Sequence, residues 1–262
     1  MTLEFSLNDV DHVVDVARRA GETIMAVYHS DFVVQTKADS SPVTIADTKA
    51  EDVIVAGIGE LTNEFAIVGE ESVASHGWPA ETGQTFWLVD PLDGTKEFVN
   101  RRDEFTVNIA LIDRGRPVLG VVHAPAIDTT YWGSRNGAVM ATGSEVARPI
   151  SVRALPPDGM TAVVSRSHRT PGVDAFLAAR PIKEEISTGS SLKFCLLACA
   201  RADIYPRFGR TMEWDTAAGH AVLRFAGGSV VDVDGVELGY GKPGFENPDF
   251  IAIGSPEIRV PG

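Results

Sequence analysis

Cysteine is nearly absent from this chain. Its 262 residues include two cysteines, Cys195 and Cys199, which lie four positions apart in an apolar stretch. This spacing is typical of two small apolar side chains on a buried helix face. Neither a disulfide nor a zinc site is expected, because no second cluster of cysteine or histidine completes a metal-binding pattern.

Positive charge and long apolar runs are also scarce. Asp and Glu number 36 against 23 Lys and Arg, so the formal net charge is −13. That excess argues against nucleic acid or an anionic membrane surface as a partner, although bound divalent ions could still attract a phosphorylated small molecule. No apolar run is long enough to span a membrane, and the first residues lack the basic and apolar segments of a secretion signal. We therefore expect a cytoplasmic protein without a membrane span.

The predicted helices and strands of the first part of the chain suggest a mixed arrangement. Apolar residues recur at helical spacing over residues 6–29, and a second helix is expected to start at Thr44 after a loop. A short strand is predicted at 32–35, and two hairpins follow at 105–123 and 131–141. This part should consist of two helices beside an antiparallel sheet.

A proline-rich stretch at residues 153–158 marks a change of pattern. Beyond it, strands and helices alternate, which is typical of an α/β arrangement. The predicted elements there are strands at 161–165, 202–208, 229–233 and 250–253 and helices at 173–179, 192–200 and 215–225. We predict an α+β domain over residues 1–154 and an α/β domain over residues 155–262.

The stretch WLVDPLDGT at residues 87–95 has the strongest functional signal. Three apolar residues lead into Asp90, the next residue is a proline that is expected to end the strand, and Asp93 follows. Two carboxylates at one strand end provide the hard oxygen donors that Mg²⁺ prefers. Backbone N–H groups of Gly94 and Thr95 at the start of a following helix would suit a phosphate. The alternative is that both aspartates serve only in a turn and a helix cap.

Three further acidic positions could join this pair. Asp47 lies in the first turn of the second predicted helix, where the helix dipole alone would favour a carboxylate. Glu70 and Glu71 follow an apolar strand, and we expect only one of them to reach a shared site; a solvated loop is the alternative. Asp215 occupies a predicted N-cap before the small residues 217–219, which would let that helix end approach a ligand, and ordinary capping is the alternative.

Together these positions resemble the inositol monophosphatase-like superfamily of Mg²⁺-dependent, lithium-sensitive phosphatases. The stretches that carry the resemblance are 87–95 and 213–219 (EWDTAAG), and the similarity extends over essentially the whole chain. The resemblance implies a layered α-β-α-β-α sandwich of the inositol monophosphatase and fructose 1,6-bisphosphatase type, which combines α+β and α/β parts.

Within that superfamily, the chain is most similar to the 3′(2′),5′-bisphosphate nucleotidases. Four stretches carry this narrower likeness: 41–44 (SPVT), 96–98 (KEF), 165–168 (SRSH) and 189–195 (GSSLKFC). The inositol phosphatase branch usually lacks the second and third of them. The resemblance implies removal of the 3′-phosphate from 3′-phosphoadenosine 5′-phosphate, a by-product of sulfate assimilation and sulfotransfer. Some members also act on 3′-phosphoadenosine 5′-phosphosulfate.

The resemblance also implies roles for individual residues. The attacking water would be oriented and deprotonated by Asp47 and Thr95, and Glu70 also has a catalytic role. Backbone N–H groups of Gly94 and Thr95 would hold the scissile phosphate. Two or three Mg²⁺ ions would be bound by Glu70, Asp90, the Leu92 carbonyl, Asp93 and Asp215. The nucleotide pocket would be lined by Ser165, Arg166, His168, Gly189, Ser190, Lys193 and, in addition, Asp215.

The chemistry of phosphate esters agrees with these roles. A phosphate monoester is a dianion that repels a nucleophile, and divalent ions offset that repulsion. We expect direct in-line attack by water without a phosphoenzyme. One alternative is a phosphatase of the same fold that acts on inositol phosphate or fructose 1,6-bisphosphate. A second is a non-catalytic metal- or phosphate-binding regulator, although the full set of acids together with Thr95 argues against lost catalysis.

The sequence alone leaves the roles of three residues and the oligomeric state open. Apart from the resemblance, His168 could be an ordinary loop residue. Arg207 and Arg210 could serve an anionic substrate or could only offset the nearby acids. A monomer and a homodimer are both compatible with the sequence.

Overall fold

The computed structural model describes residues 6–36 and 42–259, and these two ranges contain seven α-helices and fourteen strands. The helices are Leu7–Tyr28 (α1), Ile45–Leu61 (α2), Glu70–His76 (α3), Thr95–Val99 (α4), Pro171–Ala178 (α5), Leu192–Ala198 (α6) and Glu213–Phe225 (α7). The strands are Gln35–Thr36 (β1), Pro42–Val43 (β2), Ala66–Gly69 (β3), Thr85–Asp93 (β4), Thr106–Asp113 (β5), Arg116–Ala124 (β6), Thr129–Ser134 (β7), Gly137–Thr142 (β8), Arg148–Ile150 (β9), Met160–Ser165 (β10), Ile182–Thr188 (β11), Ile204–Arg207 (β12), Ser229–Asp232 (β13) and Phe250–Ile253 (β14). None of the helices described here combines the length with the apolar character that a membrane crossing requires.

The first half of the chain forms a seven-stranded sheet in the order β3-β4-β5-β6-β7-β8-β9. Neighbouring strands are antiparallel except for β3 and β4, which run parallel. Both predicted hairpins are confirmed, as β5–β6 and β7–β8. The predicted antiparallel sheet is therefore correct apart from its first pair. That parallel pair brings the carboxyl ends of β3 and β4 to the same edge of the sheet.

Alternating side chains bury this sheet on both faces. On β5, Val107, Ile109 and Leu111 pack in one apolar cluster with α1 and α2. Ala110 and Ile112 point the other way and pack in the cluster that includes α6 and α7. The near-continuous apolar run of β5 is thus explained by burial on two sides, since successive side chains of a strand face opposite directions.

Helix α7 lies directly against the middle of the sheet because two strand positions have no side chain. A Cβ atom on Gly120 of β6 would lie 2.6 Å from the carbonyl oxygen of Ala218, and one on Gly133 of β7 would lie 2.8 Å from that of Ala221. Both distances are too short for a real contact, so these glycines set how closely α7 approaches. The start of α7 is thereby held near the end of β4.

The second half of the chain forms a five-stranded sheet in the order β11-β10-β12-β14-β13. Its inner face packs on α6 and α7 through Val163, Tyr205 and Phe250, whereas Ala162 and Val164 of its outer face pack against α5. The layers are therefore α1 and α2, the first sheet, α6 and α7, the second sheet, and α5. This order confirms the expected α-β-α-β-α sandwich.

Two strand predictions need correction. The strand predicted at 32–35 is wrong, since pairing with β2 involves only Gln35–Thr36 and Val33 is 76% exposed. Strand β11 was not predicted. It is a mostly exposed edge strand with charged residues at 183–185, and it therefore lacks the alternation of apolar residues by which a strand is recognised. The loop predicted before Thr44 is described only from residue 42, where Pro42–Val43 form strand β2 instead of a loop, and residues 37–41 lie outside the described residues. The division into domains at 154/155 stays a prediction, because α6 and α7 pack against both sheets.

Candidate active site

The end of β4 carries two of the predicted acids. Strand β4 lies between β3 and β5, and its residues Trp87, Leu88 and Val89 are buried. The expectation that the proline after Asp90 ends the strand is wrong. The pairing with β5 continues to Asp93 across a bulge, where the register shifts between the two aspartates. A bulge accommodates the missing N–H of proline and redirects the side chains that follow.

The turn after Asp93 depends on a glycine. Gly94 adopts the left-handed conformation with φ of 93°, and a Cβ atom there would lie 3.1 Å from the carbonyl oxygen of Glu104. Both observations favour glycine at this position. Helix α4 then starts at Thr95, as expected, so the backbone N–H groups of its first turn are at the end of β4.

Glu70 follows the neighbouring strand at the same edge of the sheet. Gly69 of β3 pairs with Val89 of β4, so Glu70 and Asp90 are adjacent across the parallel pair. The acids after β3 belong to a short helix, α3, and not to a solvated loop. Of the two glutamates, Glu70 takes part in a carboxylate cluster and Glu71 does not, which agrees with the expectation that only one would reach a shared site.

Asp215 arrives from the second half of the chain. It is the third residue of α7 and not its N-cap, which is Met212, and its carboxylate accepts a hydrogen bond from the Met212 N–H at 2.9 Å. Among the small residues that follow, Gly219 lets α7 pack closely against another helix. A Cβ atom on Gly219 would lie 2.5 Å from the ring of Phe194 on α6.

These elements bring three carboxylates together. One oxygen each from Glu70, Asp90 and Asp215 lie within 4.8 Å of one another. Burial raises the pKa of Asp93 to about 6, with Lys193 opposing the rise. Burial and the charges of Asp93 and Glu70 raise the pKa of Asp215 well above its usual range. Asp90 is buried and the other three acids are half-buried. Hard-oxygen donors that disfavour one another's ionisation suit a divalent cation, so the residues fit a metal of the Mg²⁺ type.

Asp47 and Thr95 form the predicted pair. Asp47 Oδ2 accepts hydrogen bonds from the N–H of Thr44 at 2.7 Å and from its hydroxyl at 2.9 Å, which closes a capping box at the start of α2. Its other oxygen, Oδ1, lies 3.2 Å from the hydroxyl oxygen of Thr95, which is also 3.1 Å from the carbonyl oxygen of Leu92. The capping role and the role implied by the resemblance are therefore compatible, because each uses a different oxygen.

A cavity of about 250 Å³ opens beside the acids. Apart from Asp215, six of the residues predicted to line it belong to the second half of the chain, and five of these do line it. They are Ser165, His168, Gly189, Ser190 and Lys193. Glu70, Asp93, Gly94, Thr95 and Asp215 complete the acidic end. Arg166 does not line the cavity, because its guanidinium donates to Glu104 Oε1 at 2.7 Å and to the Ser187 carbonyl at 3.0 Å.

The cavity wall also contains a histidine and basic residues. Burial, followed by the charges of Arg207 and Lys96, lowers the pKa of His168 to about 4, so its ring is neutral near pH 7. Burial also lowers the pKa of Lys193 to about 8, against the effect of Asp93. The Lys193 ammonium donates to the carbonyl of Ser190 at 2.5 Å, which holds it in the wall.

Arg207 is a wall residue whose role the sequence left open. It is buried and lines the cavity together with Arg210. Its guanidinium donates to the carbonyl oxygens of His168 at 3.2 Å and Arg210 at 3.0 Å, while its Nε atom has no hydrogen-bond partner among the described residues. An arginine at the end of an otherwise apolar buried strand, β12, was the signal that could have identified it.

Three of the four stretches that carried the narrower resemblance, 96–98, 165–168 and 189–195, contribute residues to this cavity. Lys96 of 96–98 lies 3.4 Å from His168 of 165–168, measured from Nζ to Nε2. The N–H of Gly189 donates to Glu104 Oε2 at 2.9 Å. The 41–44 stretch is described from residue 42 onwards, and Ser41 lies outside the described residues.

Comparison with known proteins gives consistent matches. A model of the inositol monophosphatase family matches residues 7–252. The chain is 46% identical over 246 residues to the 3′(2′),5′-bisphosphate nucleotidase CysQ of Escherichia coli strain K12, an alignment that covers 92% of this chain and 98% of that protein. CysQ from Bacteroides thetaiotaomicron has a similar structure, with a TM-score of 0.80 and 38% identity over 95% of this chain and 98% of its own. The IMPase of Thermotoga maritima has a TM-score of 0.77 and 26% identity over 95% of this chain and 92% of its own.

These matches confirm the resemblance that the stretches 87–95 and 213–219 carry, and the narrower likeness to bisphosphate nucleotidases. The chain belongs to the inositol monophosphatase family.

Proposed function

We propose that this protein removes the 3′-phosphate from 3′-phosphoadenosine 5′-phosphate and releases AMP and phosphate. A second substrate of the same kind is 3′-phosphoadenosine 5′-phosphosulfate, which would give adenosine 5′-phosphosulfate. The observation that carries the proposal is a cavity with carboxylates at one end and Lys193 and Arg207 in its wall. It occurs in a chain that is similar to the CysQ nucleotidase of Escherichia coli over nearly all of both sequences.

The acidic end would hold two or three Mg²⁺ ions. Glu70, Asp90 and Asp215 already place three oxygens within 4.8 Å, and Asp93 and the carbonyl of Leu92 would add further ligands. Bound Mg²⁺ supplies charge neutralisation at the phosphate and acidifies water. Because these carboxylates must be ionised to bind a cation, the raised pKa values of Asp93 and Asp215 imply that metal affinity increases with pH.

Asp47 and Thr95 would handle the proton of the attacking water. The Thr95 hydroxyl can donate to Asp47 Oδ1 at 3.2 Å, which leaves its own lone pairs available to accept a proton from water in the cavity. Asp47 Oδ2 is engaged in the helix cap, so Oδ1 is the oxygen that would receive the proton. No side chain is required to form a covalent bond with phosphorus, and rapid-quench experiments should trap no phosphoenzyme.

The backbone N–H groups at Gly94 and Thr95 would hold the phosphate that is cleaved. Lys193, Arg207 and the neutral His168 would contact the other phosphate and the nucleoside, since all three line the same cavity. Lys193 and Arg207 are buried, so a substrate that lacked the second phosphate would leave N–H groups of both side chains without an acceptor. Those unpaired polar groups are the physical basis of the proposed specificity.

The direct test is Mg²⁺-dependent phosphate release from 3′-phosphoadenosine 5′-phosphate and from inositol 1-phosphate at matched concentrations, with and without Li⁺. We expect strong preference for the nucleotide and loss of activity with Li⁺. The Asp90→Asn variant, which removes a central carboxylate, should abolish turnover. Preference for the inositol ester would replace the proposal with an inositol phosphatase. Metal binding without phosphate release from any monoester would indicate a regulator.

We also propose a cytoplasmic location, which fractionation of cells that express a tagged chain would test. Sedimentation velocity would distinguish a monomer from a homodimer.

A further inference from the structure

The helix that carries Glu70 is not capped by its own sequence. Its N-cap residue is Gly69, which has no side chain to accept the first N–H groups of α3. Those groups are bound by Glu51 of α2 instead. Oε2 of Glu51 accepts from the N–H of Glu71 at 2.9 Å, and Oε1 accepts from the N–H of Ser72 at 2.7 Å and from its hydroxyl. Glu51 thus supplies from another helix the acceptors that an N-cap Ser or Asp supplies locally.

Glu51 and Gly69 fit each other closely. Glu51 is only 4% exposed, and a Cβ atom on Gly69 would lie 2.6 Å from its carboxylate carbon. Any other residue at position 69 would collide with the carboxylate. Gly69 has φ of −104° and ψ of 147°, a conformation that every residue can adopt, so the glycine is required by the close approach and not by the backbone.

The position of Glu51 connects two parts of the active site. It follows Asp47 by four residues on α2, so both carboxylates lie on the same face of that helix. The helix that it caps begins at Glu70, whose oxygen belongs to the cluster with Asp90 and Asp215. Hydrogen bonds from N–H groups to a carboxylate are stronger than those to a neutral acceptor. One buried carboxylate therefore holds the start of α3 against α2.

We propose that Glu51 is a positioning residue that sets where Glu70 stands relative to Asp47 and Asp90. Without it, two backbone N–H groups in the first turn of α3 would lose their acceptors, and Glu70 would no longer be held at the metal cluster. The effect on turnover rests on the proposed function, but the effect on metal binding does not.

The test is Mn²⁺ binding by electron paramagnetic resonance, together with the Mg²⁺ concentration that gives half-maximal phosphate release. Glu51→Ala should weaken Mn²⁺ binding by about 10- to 100-fold, the usual range for residues that orient metal ligands. Asp203→Asn is the matched control. Asp203 is 1% exposed, accepts the N–H of Thr161 at 2.7 Å and precedes β12, at the opposite end of that strand from Arg207. This variant should lower the melting temperature without changing Mn²⁺ affinity.

A double variant separates positioning from general destabilisation. Glu51→Ala removes the carboxylate that excludes a side chain at position 69, so Gly69→Ser can then cap α3 locally. We expect the double variant to recover most of the lost Mn²⁺ affinity. The proposal is overturned if Glu51→Ala binds Mn²⁺ like the unmodified protein, or if a folded double variant recovers none of the loss. Absence of phosphate release by the unmodified protein would contradict the proposed function and leave the Mn²⁺ result interpretable.

Discussion

Replacing Asp47 with asparagine alters a single hydrogen-bonding atom. Asp47 Oδ2 accepts from the N–H and the hydroxyl of Thr44, and Oδ1 lies 3.2 Å from the hydroxyl oxygen of Thr95. An asparagine can keep its carbonyl oxygen on both Thr44 donors, which turns its NH₂ group toward Thr95. The Thr95 hydroxyl must then accept where it now donates, and the proton of the attacking water loses its final acceptor.

The magnitude follows from this change of polarity. Asp47→Asn should lower kcat by about 10²- to 10⁴-fold, the usual contribution of a general base, which corresponds to about 3–5 kcal/mol. The free energy of unfolding should change by less than the ~0.5–2 kcal/mol that loss of a helix cap costs, because the acceptor of the cap remains. Activity and stability are therefore expected to separate.

The assay is steady-state phosphate release at saturating Mg²⁺, with urea unfolding of the same samples. Asp9→Asn is the matched control, because Asp9 makes an equivalent capping box on α1, with hydrogen bonds of 2.7 and 2.8 Å from Ser6, at an exposed position outside the cavity lining. The two variants should show similar small changes in stability, and only Asp47→Asn should lose turnover. A kcat of Asp47→Asn within about threefold of the unmodified value would refute the assignment, since general-base losses are far larger.

Three further changes test other parts of the structure. Lys193→Ala should raise KM for 3′-phosphoadenosine 5′-phosphate more than for inositol 1-phosphate, because its buried ammonium would contact the second phosphate; equal increases would contradict this. Burial lowers the pKa of His123 to about 4 in the folded protein, whereas a histidine in the unfolded chain has a pKa of about 6.5. As the pH drops from about 6.5 towards 4, the unfolded chain therefore binds a proton that the folded protein does not, and the free energy of unfolding falls. Urea unfolding at about pH 7.5 and 5 gives the difference in the free energy of unfolding between the two pH values, and we expect this difference to be ~2 kcal/mol smaller in His123→Gln. An unchanged difference would exclude His123 as its source. Gly120→Ala should destabilise by about 1–3 kcal/mol, because its Cβ atom would lie 2.6 Å from the Ala218 carbonyl oxygen. Gly59→Ala, which meets only a side-chain atom at 3.4 Å in α2, should be neutral or stabilising in the same measurement.

The sequence predicted helices and strands correctly where burial requires apolar residues to recur at a regular spacing. The helix expected at 6–29 is observed at Leu7–Tyr28, where Ser6 and Asp9 form a capping box, and both antiparallel hairpins are present. Prediction failed for β11, because an exposed edge strand has no apolar alternation to detect. It also missed α3, whose first N–H groups are capped by Glu51 from 20 residues earlier in the chain.

In the candidate site, too, some residues could be predicted from their neighbours in sequence and others could not. Asp90 after an apolar run and Asp47 in a first helical turn were singled out from their neighbours in sequence, because turns and caps depend on a few adjacent residues, whereas their roles in the site came from the family resemblance. Arg166 was expected in the cavity, but its guanidinium pairs with Glu104 from the other half of the chain. Arg207 could not be assigned from sequence, because its contacts with the backbone at 168 and 210 depend on how the loops around the cavity fold.

The sequence by itself indicated the acidic groups of the site and the strands and helices that carry them, because such positions follow from short-range hydrogen bonding and burial. Only the tertiary structure decided that Glu70, Asp90 and Asp215 place oxygens within 4.8 Å of one another. Asp215 is more than a hundred residues from the other two in sequence, and it reaches them because Gly120 and Gly133 let α7 lie directly on the first sheet. A metal site of this kind depends on close packing between distant segments, and that packing is a property of the whole fold.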